Sequence, residues 1–148
     1  MQRAIELARL ARLAPFGAVI VEQAAARIVA EGFNRCAENP AWHGEMDAIN
    51  HCARSHAGID WALLTLYTTA EPCPMCQAAI LWAGIPRVVY GSSITFLKSR
   101  GWWQIDIPSA EVVRRTPFRV CTLIGGVLEE ECNALFENPP ARYCGDGK

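Results

Sequence analysis

Apolar residues recur at helical spacing over residues 2–13, where Ile5, Leu7, Ala8, Leu10, Ala11 and Leu13 stand among Arg3, Glu6, Arg9 and Arg12. The pattern predicts an amphipathic helix that stops at Pro15. The period then changes. "FGAVIVE" at 16–22 is a short, nearly continuous apolar run rich in β-branched residues, and "RIVAEGFN" at 27–34 has the composition of its hairpin partner. From Trp42 to His56 helical spacing returns through Met46, Ile49, Cys52 and Ala53, with His-Ala-Gly at 56–58 as the stop.

"LLTLYTT" at 63–69 reads as a buried strand, "CQAAILWAG" at 76–84 as a helix ending on Gly84, and "RVVYG" at 87–91 as another strand. Such a strand, helix, strand unit predicts a crossover between parallel strands. Residues 92–109 lack periodicity and carry the aromatics Phe96, Trp102 and Trp103. "FRVCTLIGG" at 118–126 predicts a last strand and "VLEEECNALF" a final helix, while the proline- and glycine-rich tail "ENPPARYCGDGK" predicts irregular chain. With no repeat or linker, the succession predicts one α/β domain over residues 1–148, with about five strands between helices.

A chain of 148 residues that is 51% hydrophobic and 20% charged lies in the globular range. Its net charge of −1, from 14 basic and 15 acidic residues, provides no overall field to gather phosphates and disfavours bulk nucleic-acid binding. "FLKSRG" at 96–101 with Arg114, Arg115 and Arg119 is the nearest approach to a basic segment, and its scattered charges suit a solvated face. The cysteines at 36, 52, 73, 76, 121, 132 and 144 are odd in number and unevenly spaced, unlike a secreted disulfide framework. No apolar run approaches the roughly 20 residues of a membrane span. The expectation is a soluble, cytoplasmic protein.

The chemistry concentrates in two short segments. "EPCPMC" places Cys73 and Cys76 at the start of the third helix, and such a pair alone fits a redox couple, half of a structural zinc site, or two ligands of a catalytic metal. Upstream, "PAWHGEMDAI" offers His43 at the start of the second helix and Glu45 two residues on. One histidine and two cysteines make three ligands, which leaves a fourth tetrahedral position for water, as catalytic zinc requires. Glu45, beside the metal and unbound, suits a proton carrier. The order H-x-E then P-C-x-x-C is the signature of zinc-dependent nucleobase deaminases. His51 and His56 are expected to be ordinary surface residues.

On these motifs, with "PFGAVIV", "AEGFN", "LYTTAEPCPMCQAAILWAGIPRVVYG", "TPFRV" and "GVLEEECNALF", the chain resembles the cytidine and deoxycytidylate deaminase superfamily. The branch is the one holding guanine deaminases, free-base cytosine deaminases and tRNA adenosine deaminases. The resemblance implies a three-layer α/β/α fold around a mixed five-stranded sheet, one zinc per chain and a homodimer. It also implies that Asn34 of "EGFN" holds substrate and that Phe16 lies near the base, the alternatives being a turn residue and plain core. Phe96 resembles an aromatic lid, and Trp102 and Trp103 add flat surface for either a pocket cover or buried packing.

Trp82 is open between pocket wall and core, and Glu71 between a cap of the third helix and a carbonyl turned to the pocket. The tail around Tyr143 and Asp146 is a candidate closure. The expected activity is hydrolytic deamination of a base or nucleoside, guanine ahead of cytosine. A tRNA adenosine deaminase is the less similar alternative, and a zinc-stabilised scaffold without chemistry the bland one.

Overall fold

The computed structural model describes residues 1–11, 13–118 and 120–141. Its strands are β1 (Gly17–Glu22), β2 (Arg27–Phe33), β3 (Leu64–Ala70), β4 (Arg87–Ser92) and β5 (Thr122–Ile124). Its helices are α1 (Gln2–Ala8), α2 (Gly44–Ser55), α3 (Pro74–Ala83), α4 (Ile94–Ser99), α5 (Ser109–Arg115) and α6 (Glu129–Asn133). The five strands form one sheet in the order β2-β1-β3-β4-β5. β1 pairs antiparallel with β2 and β3, whereas β4 runs parallel to both β3 and β5. The sheet is therefore mixed, and α3 makes the crossover into the parallel half.

Alternation along the strands sorts the helices onto two faces. Ala18, Ile20 and Ala30 point to a core shared with Ala48 and Cys52 of α2 and Ile80 of α3. Gly17 and Gly91 belong to the opposite face. A Cβ on Gly17 would lie 2.2 Å from the Ala4 carbonyl oxygen of α1, and one on Gly91 would lie 2.2 Å from the Cys132 sulfur of α6. Beyond that face, Leu97, Trp102 and Phe136 close a second core. The expected three layers are present.

Several element ends differ from the sequence pattern. α1 stops at Ala8 because Leu10 and Leu13 remain 60% and 44% exposed, so helical spacing past that point gains no burial to hold it. Among the described residues, Thr122–Ile124 is the part of the predicted last strand that pairs with β4, and Gly126 turns the chain away at φ +77°. The stretch from 92 to 109 is partly helical: Ser93 caps α4 by accepting from the Phe96 N–H at 3.0 Å. No helix among the described residues is long and apolar enough to cross a membrane. Arg119, Tyr143 and Asp146 lie outside the described residues.

Candidate active site

Two helix starts meet at the carboxyl end of the parallel strands. His43 caps α2 with extended backbone (φ −73°, ψ 165°), and Cys73 caps α3 in the same way (φ −63°, ψ 165°). Pro74 follows at the first helical position, where its fixed φ suits the turn and its missing N–H leaves no orphan. Cys76 sits within that first turn, fully buried. The His43 Nδ1 atom stands 3.6 Å from both sulfurs.

That separation fits a single ion. Bonds of roughly 2.0–2.3 Å arranged tetrahedrally place ligand atoms about 3.5 Å apart, and an imidazole with two thiolates is a donor set that zinc favours. Among the described residues, His43, Cys73 and Cys76 bring their ligand atoms within 4.8 Å of one another. Glu45 is outside this set.

Electrostatics agree with a metal-ready cluster. A hydrogen bond from Cys76, with help from His43 and against the effect of burial, pulls the Cys73 thiol down to about 4. The same bond and burial push the Cys76 thiol upward. Burial works against a charged His43, but Cys73 and Glu45 outweigh it and raise its affinity for a proton.

Glu45, 4% exposed, lies one residue into α2 beyond Gly44. Thr68 of β3 donates to its carboxylate at 3.1 Å. Burial and then the neighbouring Cys73 sulfur raise its pKa above the ordinary glutamate value. His43, Glu45 and Cys73 open into one cavity of about 390 Å³, within the size range of small-molecule sites.

Phe16 and Asn34 line this cavity as expected, and both serve the scaffold as well. Phe16 packs against Trp102 and Phe136 at ring distances of 5.6 and 4.9 Å. Asn34 accepts from the Cys36 N–H at 3.0 Å in a local turn, which leaves further donor and acceptor capacity in its amide. Pro40, Trp103, Gln104 and Ile105 complete the lining. Trp103 is 61% exposed, and its neighbour Trp102 is buried, so the tryptophan pair divides between cover and core.

Three expectations are corrected. Trp82 is neither wall nor core: it is 77% exposed and packs its ring edge-on to Phe118 in a separate apolar groove. Phe96 does not line the cavity but packs against the second core, with the Arg100 guanidinium over its ring. His56 is half-buried, and its Nε2 hydrogen-bonds the Val29 carbonyl at 2.8 Å. His51 is exposed as expected.

Glu71 lines the cavity but does not cap α3, whose cap position is Cys73. Its buried carboxylate accepts from the Ile94 N–H at 3.0 Å and the Ser109 N–H at 2.8 Å, the first residues of α4 and α5. Ser109 Oγ in turn donates to the Pro72 carbonyl at 2.7 Å. The wall bearing Trp103, Gln104 and Ile105 is thereby fastened to the loop that carries Cys73. Gln104, Ile105 and Pro40 were not evident from the sequence, and an amide among aromatics between the two clamped helix starts is the signal that marks Gln104.

Comparison with known proteins places this geometry. A guanine deaminase of Bacillus subtilis strain 168 is 38% identical over 117 residues, covering 74% of this chain and 72% of that protein. A tRNA-specific adenosine deaminase of Streptococcus pyogenes is more alike over a shorter span, 46% identical across 83 residues, or 53% of this chain and 50% of its own. The X-ray structure of the Bacillus subtilis guanine deaminase superposes with a TM-score of 0.62 at 35% identity over 82% of this chain and 83% of that one. A crystal structure of a NE0047 mutant in complex with 8-azaguanine superposes with a TM-score of 0.79 at 26% identity, covering 90% of this chain and 79% of the other. Residues 1–92 match the model of the cytidine and deoxycytidylate deaminase zinc-binding region, and the chain belongs to that deaminase family.

Proposed function

We propose that the protein is a hydrolytic deaminase of a nucleobase or nucleoside, guanine ahead of cytosine, acting through residues 1–148 as one domain. One observation carries the reading: a buried carboxylate, Glu45, opens into the same cavity as a preformed three-ligand cluster without belonging to it. His43, Cys73 and Cys76 would hold zinc. When bound, zinc supplies a Lewis acid that brings the pKa of a water molecule towards neutrality.

The chain's own groups do the rest. Glu45 takes one proton from water and passes it to the ring nitrogen, then takes the second from the hydroxyl formed on the ring carbon and passes it to the departing amine, so that water and the aminated base become the oxo base and ammonia. Thr68 holds Glu45 in orientation through the 3.1 Å bond. The amides of Asn34 and Gln104 can meet both donors and acceptors on a base edge. Trp103 provides a flat face for stacking. Similarity to a guanine deaminase and to a protein solved with 8-azaguanine supports the choice of base.

The 46% identity to a tRNA-specific adenosine deaminase supports a second reading, in which the base is presented by an RNA loop. We infer also that the protein is a cytoplasmic homodimer: the family resemblance supports the dimer, and the odd number and uneven spacing of the cysteines support the compartment. Sedimentation and cell fractionation test these two points.

Ammonia release from guanine, cytosine, adenine, their nucleosides and an adenosine-containing RNA hairpin tests the function. Guanine is expected to lead. Glu45→Ala is expected to keep its zinc and lose about 10²–10⁴-fold in kcat. Zinc present with no ammonia from any substrate would favour the scaffold instead.

A further inference from the structure

Asp47 lies on the same first turn of α2 as Glu45, its backbone N–H bonded to the His43 carbonyl at 2.9 Å. The sequence motif assigns it nothing, yet its side chain is nearly buried and holds three donors at once. Oδ1 accepts from the Trp42 indole Nε1 at 2.9 Å. Oδ2 accepts from the Phe33 N–H at 3.2 Å and from Arg35 Nε at 3.3 Å.

These donors have positions in common. Phe33 and Arg35 flank Asn34, and Trp42 immediately precedes His43. One carboxylate therefore closes both ends of the 34–42 loop, which also carries Pro40 of the cavity wall. Two further contacts tighten the closure: the Arg35 N–H donates to the Trp42 carbonyl at 2.9 Å, and the Arg35 guanidinium lies 4.7 Å from the Phe33 ring centre. Charge-assisted bonds of this kind are the stronger class of hydrogen bond and fix direction as well as distance.

We propose that Asp47 is a positioning residue that sets the Asn34 side of the base pocket against the helix turn bearing His43 and Glu45. It touches neither the metal ligands' donor atoms nor the cavity. Its action is on how well the base is held, not on the proton transfer itself. The inference rests on the proposed deaminase reading for its kinetic half, while its structural half is independent of activity.

Asp47→Asn is the direct test, because an amide offers one acceptor oxygen where three donors converge and turns its own N–H groups on the others. In the zinc-loaded full chain the expected result is a rise of about fivefold or more in KM, kcat within about twofold and unchanged zinc content, as for a loss of uniform substrate binding. Trp42→Phe, which removes a single donor, is expected to do the same in a smaller step and serves if Asp47→Asn does not fold. Hydrogen exchange of the Phe33 amide and the Trp42 indole is expected to quicken at least about tenfold in Asp47→Asn, with the β3 amides unaffected.

Unchanged KM in an active Asp47→Asn protein, or a KM rise accompanied by zinc loss, overturns the proposal. So does unchanged exchange at Phe33 and Trp42. A wild-type protein that releases ammonia from no substrate defeats the deaminase reading and, with it, the kinetic half. The exchange measurement then decides whether Asp47 latches the loop.

Discussion

His43 and Cys73 each begin a helix with extended backbone and deliver their side chains within a turn of it, whereas Trp103, Gln104 and Ile105 hang between two short helices in chain with no regular structure of its own. The first side of the cavity is local. The backbone that presents each chemical group there is set by its own helix start, although Glu45 also takes a bond from Thr68, 23 residues on. The second side is held from a distance, through a single carboxylate at Glu71 that reaches 23 residues to Ile94 and 38 residues to Ser109. Reaction chemistry is thus written in contiguous motifs, and the shape that selects a substrate depends on contacts remote in sequence.

Substitutions can separate the two sides. The largest effect is expected from Cys76→Ala, which removes a buried ligand: zinc analysis should find the metal gone and turnover absent. Retention of one zinc per chain with activity would show that the cluster is not the metal site. Next is Glu71→Gln, where an amide N–H must face one of two backbone N–H groups. Loss of about 1–3 kcal/mol in denaturant unfolding is expected, together with a raised KM because the wall loosens. An unaltered KM would mean that the wall holds its shape without the clamp.

Trp103→Ala falls on the far wall. Loss of a stacking face worth about 1 kcal/mol or slightly more should raise KM around fivefold with little change in kcat. A fall in kcat at constant KM would place Trp103 on the reaction side instead. The smallest effect is expected for Trp82→Ala, with kcat/KM within about twofold of wild type, since surface changes remote from a site are usually mild. A tenfold loss would return Trp82 to the pocket.

The same division explains what could be read from the chain in advance. The parallel pairing of β3 with β4, both ligand segments and Glu45 follow from short patterns, because helix caps and the strand, helix, strand crossover are local. Helix α4 was hidden, since six residues span fewer than two turns and its start relies on Ser93 and Glu71. Trp82 misleads for a geometric reason. It lies six residues past Cys76, which at about 100° per residue puts it some 120° around α3 and away from the metal side. Phe96 misleads because its half-exposed ring is taken up by the second core. Gln104 could not be placed in the same cavity as Asn34 without knowing that Glu71 ties Ser109 to the cysteine loop.

Gly32 carries a consequence for how this chemistry can drift. A methyl there would sit 2.3 Å from the Ala48 nitrogen and 2.5 Å from the Gly44 oxygen, whereas real contacts of that kind stay beyond 3.0 Å. α2 would have to retreat by about 0.7 Å or more, several times the ±0.2 Å within which metal–ligand bonds hold their lengths. A hydrogen atom in a strand thus acts as the gauge block for a bond made one layer away, and the smallest possible enlargement of that residue would unseat the imidazole without altering a single reactive group.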